Sequence, residues 1–476
     1  MNSVDEKFAP FAQRMEAEGL PNIVIQTFKY YYKQLVEGQT GLILEDDIRP
    51  VQSLPDVENF PAELEEVGDA ALSKVVLLKL NGGLGTSMGM AQAKSLLRVK
   101  QNLSFLDIIA RQAEHSGIPL LLMNSFATRA DSLAALTKYP SLWGDLPLDF
   151  VQHKVPKVTQ SDLSPVSYSQ NPSQEWCPPG HGDLYTALIT SGMLDRLLDA
   201  GIEYAFVSNS DNLGAFIDKK ILGYFVNNQL PFMMEVADRT AADKKGGHLA
   251  QLPNGQLILR ESAQCPPEDL ASFQNIKRHK YFNTNNLWLN LPVLKEVMEA
   301  KGNILGLPMI RNRKTVNPRD SRSTPVYQIE SAMGAAIAIF ENAGAVRVPR
   351  TRFVPVKTTN DLLALRSNAY ILTDDFRIIA NPKRQAGQVL INLDMTYYKL
   401  IDQMEARFPQ GVPSLLECTR LLVKGDVKFG RNVTLKGDVS LVNESNNQLE
   451  IKDGIVIEGR TNGKLKSVLK ERAGED

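Results

Sequence analysis

Residues 79–94 read KLNGGLGTSMGMAQAK. The apolar run Val75-Val76-Leu77-Leu78 leads into them, and Gly82, Gly83 and Gly85 follow in quick succession. Gly89 comes next, and then a single lysine, Lys94. Backbone without side chains closes tightly around phosphate oxygens and turns its N–H groups toward them, while a nearby ammonium offsets the remaining charge. The stretch therefore reads as a strand exit that grips a polyphosphate. It is not a P-loop, because Met88-Gly89-Met90 stands where the lysine of that loop belongs. Nor is it the dinucleotide fingerprint, since Gly83-Leu84-Gly85 runs on through Thr86-Ser87-Met88 before the next glycine. A glycine-rich turn can also join strand to helix with no ligand at all, so the rest of the chain has to decide.

The 476 residues suffice for two or three domains and a large core. Apolar content of 43% with 22% charged residues is that of an ordinary soluble protein. A net charge of −1 argues against nucleic acid as a partner, which would call for a strongly basic face. No apolar run reaches the roughly 18 residues that span a bilayer, so no membrane partner is expected. Residues 1–19 alternate charge and apolar groups without a signal-peptide core, which predicts a cytoplasmic protein. Cys177, Cys265 and Cys418 lie far apart without C-x-x-C spacing, so neither a disulfide framework nor a zinc site follows.

Residues 8–17 and 23–36 carry apolar side chains at helical spacing, separated by Pro21-Asn22, and make residues 1–70 a helical N-terminal region. Proline and acid dominate 46–66 and predict loops. Short apolar runs at 119–123, 204–207, 232–236 and 257–259 read as strands, and 105–114, 184–198, 329–342 and 360–367 as helices. Such alternation predicts an α/β domain over 71–400, with a mixed, mostly parallel sheet and helices on both faces. In such sheets ligands sit beyond the carboxyl ends of the strands, where the glycine stretch falls. Residues 401–476 change character. Leu421, Val427, Val433 and Val439 recur every six positions, as do Val423, Phe429, Leu435 and Leu441; after 443–447, Ile451 and Ile457 resume the spacing. Hexads of this kind mark a parallel β-helix of a few coils, with a plain stack of hairpins as the alternative.

Six polar segments carry candidate chemistry. Pro178-Pro179-Gly180-His181-Gly182-Asp183 precedes a helix with Asp183 in N-cap position, leaving His181 either facing a ligand or packed in a capping turn. Ser208-Asn209-Ser210-Asp211-Asn212 follows a strand; a carboxylate there suits a magnesium ion that also touches phosphate, or else closes an Asx turn. Lys244 to His248, Arg260-Glu261-Ser262 and Phe282-Asn283-Thr284-Asn285-Asn286 offer groups that pair with sugar hydroxyls. Pro355-Val356-Lys357-Thr358 sets a second lysine in a segment that otherwise reads as strand. No nucleophile motif such as G-x-S-x-G occurs, so direct phosphoryl or nucleotidyl transfer by positioning and charge neutralisation is the chemistry predicted.

The ordered motifs LNGGLGTSMG, KSL from Lys94, PPGHGD, SNSDNLGA, DKKGGHLA, RESAQCP, FNTNNLW and PVKT resemble the eukaryotic-type UTP–glucose-1-phosphate uridylyltransferases. The resemblance runs from about residue 75 to the C-terminal repeat, while the first 70 residues match only loosely. It implies a glycosyltransferase-A-like core, a C-terminal left-handed parallel β-helix, magnesium as cofactor, and conversion of UTP and glucose 1-phosphate to UDP-glucose and pyrophosphate. Carried over by position, Leu80, Asn81, Gly82 and Gly83 resemble the UTP-contacting loop, with Gln152 and Gly180 at the uracil and Asp211 also contacting UTP. The sugar phosphate would meet Gly82, Gly83, His181, Asn209, Ser210 and Asp211, and Glu261, Asn283 and Asn285 would hold glucose hydroxyls. Lys94 and Lys357 correspond to the charge-neutralising catalytic lysines, which also contact UTP, and Asp211 to the metal ligand. His153-Lys154 in FVQHKVPK departs from the expected pattern. Bacterial-type enzymes and the N-acetylhexosamine relatives carry an arginine soon after Gly-Thr; Ser87 here counts against both. The nearest alternative is a broad-specificity UDP-sugar or UDP-N-acetylhexosamine pyrophosphorylase, and the exposed edge of the β-helix would permit a homo-oligomer.

Overall fold

A computed structural model describes residues 4–459 and 468–470. The opening strand Val75–Asn81 is buried almost throughout. It pairs in parallel with Leu120–Asn124 on one side and Tyr204–Asn209 on the other, and Asp149–Val151 extends the parallel run. Beyond Tyr204–Asn209 the sheet turns antiparallel through Tyr281–Asn290, which in turn pairs with Phe232–Asp238 and meets His248–Gln251. The result is a ten-stranded mixed sheet whose four-strand parallel run forms one side.

Strand periodicity sends alternate side chains to opposite faces. Val75, Leu77 and Phe206 enter one core with the helices Phe105–Ser116 and Lys219–Asn227. Val76, Leu78, Ala205 and Val207 enter a second core with Asp183–Thr190, Met193–Asp199 and Leu291–Ala300. Helices thus cover both faces, as the alternation of elements predicts. Helix Glu63–Ala71 lies on Lys219–Asn227 with Gly68 and Gly223 at the crossing, where a Cβ on either would strike the other helix's backbone. The N-terminal helices Val4–Ala17 and Asn22–Val36 form their own aromatic core against the hairpin Met309–Thr315/Pro325–Ser331.

The C-terminal repeat folds as a parallel stack. Leu390–Leu393, Ser414–Lys424, Thr434–Val442 and Val456–Glu458 lie side by side, and Val427–Phe429 pairs with Leu449–Ile451. Leu421 faces Val439, three hexads on, whereas Val427 faces Leu449 because the 443–447 interruption lengthens that coil. Every hexad residue named above is buried, and the stack shares one continuous core with the main sheet. Of the expected C-terminal domain, residues 460–467 and 471–476 lie outside the described residues, as do residues 1–3 of the N-terminal region.

Five expectations need correction. The stretch 46–66 is not loop throughout, since helix Glu63–Ala71 begins within it. Residues 329–342 are the end of strand Pro325–Ser331 and a 3-10 turn, Met333–Ala338, because Gly334 is pressed between Leu259, Met234 and Asn283. The helix expected over 184–198 is two helices, broken where Gly192 takes a left-handed φ of 69°. Residues 355–357 form no strand; only an isolated bridge joins Pro355 to Asn212 before Thr358 starts a helix with Asp361 in a capping box. Asp183 is not an N-cap, since its carboxylate accepts from the N–H and ring of His153 instead.

Phe429 is fully buried at the middle of the repeat, 4.8 Å from the Phe408 ring in a stacked pair. Phe429→Ala should cost about 3–5 kcal/mol of unfolding free energy, measured by urea denaturation. A loss below about 1 kcal/mol would contradict a packed stack at this position.

Candidate active site

Two strands set the floor. Leu80 pairs with Asn209 in parallel register, so the strands leave the sheet at the same level and the Leu80 carbonyl accepts the Ser210 N–H. The Asn81 side chain turns down into the protein, donating to Asn124 Oδ1 at 2.7 Å and Ser132 Oγ at 2.8 Å. Its backbone alone is left for a ligand. Gly82 follows, its carbonyl held by Ser125 Oγ at 2.9 Å. A Cβ at Gly82 would come within 2.8 Å of the Gln152 amide, so Gln152 lies directly on this glycine. The loop then doubles back. Leu84 bridges Ala93, and the Lys94 N–H donates to the Gly83 carbonyl at 3.0 Å. That closure returns Lys94 to the strand exit, where its Nζ stands 2.5 Å from Asp211 Oδ2, with side-chain exposures of 18% and 19%.

The second lysine arrives from the far side. The Val356 N–H donates to the Asp211 carbonyl at 3.3 Å, and the Asn212 side chain receives the Val354 N–H at 2.9 Å. Lys357 is thereby carried beside the Asp211 turn, exposed, its Nζ over the Phe353 ring. Its charge reaches Glu261, whose pKa burial raises and the Asn283 hydrogen bond and Lys357 lower. Glu261 lies on Gly247, where any Cβ would meet the carboxylate. Asn283 Nδ2 also donates to Asn285 Oδ1 at 2.9 Å, and Asn283 Oδ1 accepts the Asn285 N–H. Asn283 therefore holds both Glu261 and Asn285 in place. Asn285 has a left-handed φ of 58° where strand register shifts, a bulge that brings two asparagines two residues apart into contact.

The circle closes through His181. Gly180, at φ 81°, sits so close to Ser331 that a side chain would strike its carbonyl, and Gly182 N–H donates to the same carbonyl at 2.9 Å. His181 Nδ1 accepts the Met333 N–H at 3.0 Å. Nε2 must then carry the ring hydrogen, so a neutral imidazole offers a donor to the cleft. Burial lowers its pKa to about 4. The next residue, Gly334, packs against Asn283. His153, the departure noted in the sequence, sits between Asp183 and Thr190 and pins the Gln152 segment to the helix behind His181.

Contacts thus link Gln152, Gly82, Lys94, Asp211 and the Lys357 segment, and join Glu261 to Asn283 and Asn285, but several supporting groups carried no readable sequence signal. Arg352 forms a fully buried two-bond pair with Glu235, 2.7 Å at each contact, and Glu235 also accepts from Asn286 and Trp288. Lys79 is fully buried beneath the Asp211 turn. Among the described residues no group of three His, Cys, Asp or Glu side chains converges as a metal site. Asp211 is one carboxylate, enough for a magnesium ion whose other ligands are phosphate oxygens and water.

Glycine amides, two lysines and a carboxylate at the exits of parallel strands are groups suited to a nucleotide's phosphates, and the class of protein they point to is a nucleotidyltransferase. The family model for UTP–glucose-1-phosphate uridylyltransferase matches residues 25–436, and the chain belongs to that family. It is 42% identical over 421 residues to the UTP–glucose-1-phosphate uridylyltransferase of Solanum tuberosum, covering 87% of this chain and 85% of that one. The probable enzyme of the same name from Schizosaccharomyces pombe is 41% identical, over 81% and 76%. The fold resembles that of a mutant UDP-glucose pyrophosphorylase from Leishmania major, crystallised in complex with UDP-glucose, at a TM-score of 0.90, 43% identity and coverage of 96% and 99%. A UDP-glucose phosphorylase structure from Trypanosoma brucei gives a TM-score of 0.85 and 46% identity over 96% and 100%.

Because the folded pKa of His181 lies below its ordinary 6.5, the unfolded chain binds the proton first. Stability that His181 contributes above pH 6.5 is therefore lost as pH falls toward 4. His181→Gln should flatten this acid-side decline in urea midpoints relative to the wild type; identical slopes would contradict an imidazole held neutral in the fold.

Proposed function

We propose that this enzyme, which converts UTP and glucose 1-phosphate to UDP-glucose and pyrophosphate, transfers the uridylyl group directly within this cleft. The observation that carries the site is the run of contacts from Gln152 through Gly82, Lys94 and Asp211 to the Lys357 segment, with Glu261, bonded to Asn283, within reach of the Lys357 charge. Uracil lies at Gln152 and Gly180, and the triphosphate over the Leu80 to Gly83 backbone. A phosphate oxygen of glucose 1-phosphate attacks the α-phosphorus; the new O–P bond forms as the bond to the β-phosphate oxygen breaks and pyrophosphate leaves. Lys94, released from Asp211 by the incoming phosphates, and Lys357 offset charge on the equatorial and leaving oxygens. His181 Nε2, Asn209 and Ser210 orient the sugar phosphate. Asn283 holds Glu261 and Asn285 toward the glucose hydroxyls. Asp211 would hold magnesium together with the phosphates, where the ion supplies further charge neutralisation.

The same reading divides the chain into an N-terminal helical region (1–70), a catalytic domain (71–400) and a left-handed β-helix (401–476). Exposed Val442 and Leu449 on the stack support pairing with a second copy. Three free cysteines and the absence of a membrane-length apolar helix among the described residues are in keeping with a cytoplasmic location.

A coupled assay for pyrophosphate with UTP, glucose 1-phosphate and magnesium tests the reaction; release no faster than background would overturn it. Lys94→Met and Lys357→Met should each lower kcat about a hundredfold or more while urea midpoints hold. Chelation by EDTA should stop turnover and added magnesium restore it. Rates unmoved by either lysine change would remove both from the chemistry.

A further inference from the structure

Lys79 is the one charged side chain in the opening strand, and the transfer chemistry leaves it unused. Its Nζ donates to Ser208 Oγ at 2.7 Å and to the Ala215 carbonyl at 2.9 Å. These acceptors stand at the two ends of the turn 208–215, and Asn209, Ser210 and Asp211 lie between them. Neither acceptor is charged. Glu235 and Asp211 favour the ammonium and Arg352 opposes it, all through space, while burial outweighs them and brings the pKa down to about 7. The Phe206 ring lies about the same ammonium, its centroid 6.0 Å away. Burying a cation without a contacting counter-ion is unfavourable, and an apolar side chain of similar length would fill the space more cheaply in free energy. Packing therefore does not account for the ammonium, whereas the geometry of the turn does.

We propose that Lys79 is a positioning residue for uridylyl transfer: by tying Ser208 to Ala215 it fixes the turn that presents Asp211 to Lys94. The proposal rests on the reading of this cleft as the transfer site. Lys79 touches the substrates at no point; it acts through Asp211.

Lys79→Met keeps the stem and removes the donor. Its kcat/KM for UTP should fall about tenfold or more, the scale on which misplaced reacting groups slow turnover, while the urea midpoint stays level or rises. Ser208→Ala removes one acceptor and should lower kcat/KM in the same direction with the lysine still present. In an Asp211→Asn background, Lys79→Met should change the residual rate less than about twofold, since effects routed through one residue do not add. A lysine with a purely structural role would lose activity only as protein unfolds, and equally in both backgrounds. Wild-type kcat/KM in folded Lys79→Met, or an equal loss with and without Asp211, overturns the proposal. If Lys79→Met does not fold, Ser208→Ala decides, and unchanged kcat/KM there overturns it as well. Should the wild type release no pyrophosphate, the reaction reading fails separately, and UTP binding by calorimetry then tests the turn. Lys79→Met should weaken that binding about tenfold, and an unchanged Kd overturns the proposal.

Discussion

The parallel pairing of Val75–Asn81 with Tyr204–Asn209 is the constraint on which this cleft depends. Leu78 faces Val207 and Leu80 faces Asn209, so two chain segments more than a hundred residues apart leave the sheet side by side. One exit supplies glycine amides and the other supplies Ser210 and Asp211. A one-residue slip would turn every side chain of the strand to the opposite face, exchanging Lys79 and Leu80. The Gly82 loop closes on itself through Leu84 and Ala93, and the Lys357 segment docks on Asn212; both attach to ends that this register has already aligned.

Below the cleft lies a floor of polar groups that are almost all paired. Asn81, Asn124, Asp149 and Arg129 form one chain of hydrogen bonds, and Arg352, Glu235, Asn286, Asn212 and Trp288 form another. A satisfied buried network fixes one arrangement of its members, and the low local dielectric strengthens each contact. Phosphate charge arriving above such a floor meets dipoles and cations that need not reorganise, which is the condition for stabilising a transition state. The left-handed Asn285 belongs to the same pattern, a strained position at the rim where a sugar would be gripped.

Much of this was readable from the chain because its signals are local. Consecutive glycines after an apolar strand, a carboxylate just past a second strand and the hexads of 421–457 each report their own geometry. The family resemblance supplied the roles of Gln152, His181 and Glu261, which spacing by itself left open. What stayed hidden is non-local. Tyr281–Asn290 is a ten-residue strand whose asparagines disfavour that conformation, overridden by pairing on both edges. Arg352 and Glu235 lie 117 positions apart, and Met333 gives His181 its tautomer through a backbone N–H that no residue type advertises. The alanine-rich run at 333–338 reads as a helix until Gly334 meets Asn283.

A crystal structure of the protein with UTP and magnesium tests the account most directly. The triphosphate should lie along the Gly82 and Gly83 amides, with a phosphate oxygen within about 3 Å of Lys94 Nζ and the lysine drawn away from Asp211. A triphosphate bound elsewhere, with the Lys94–Asp211 contact still at 2.5 Å, would contradict it.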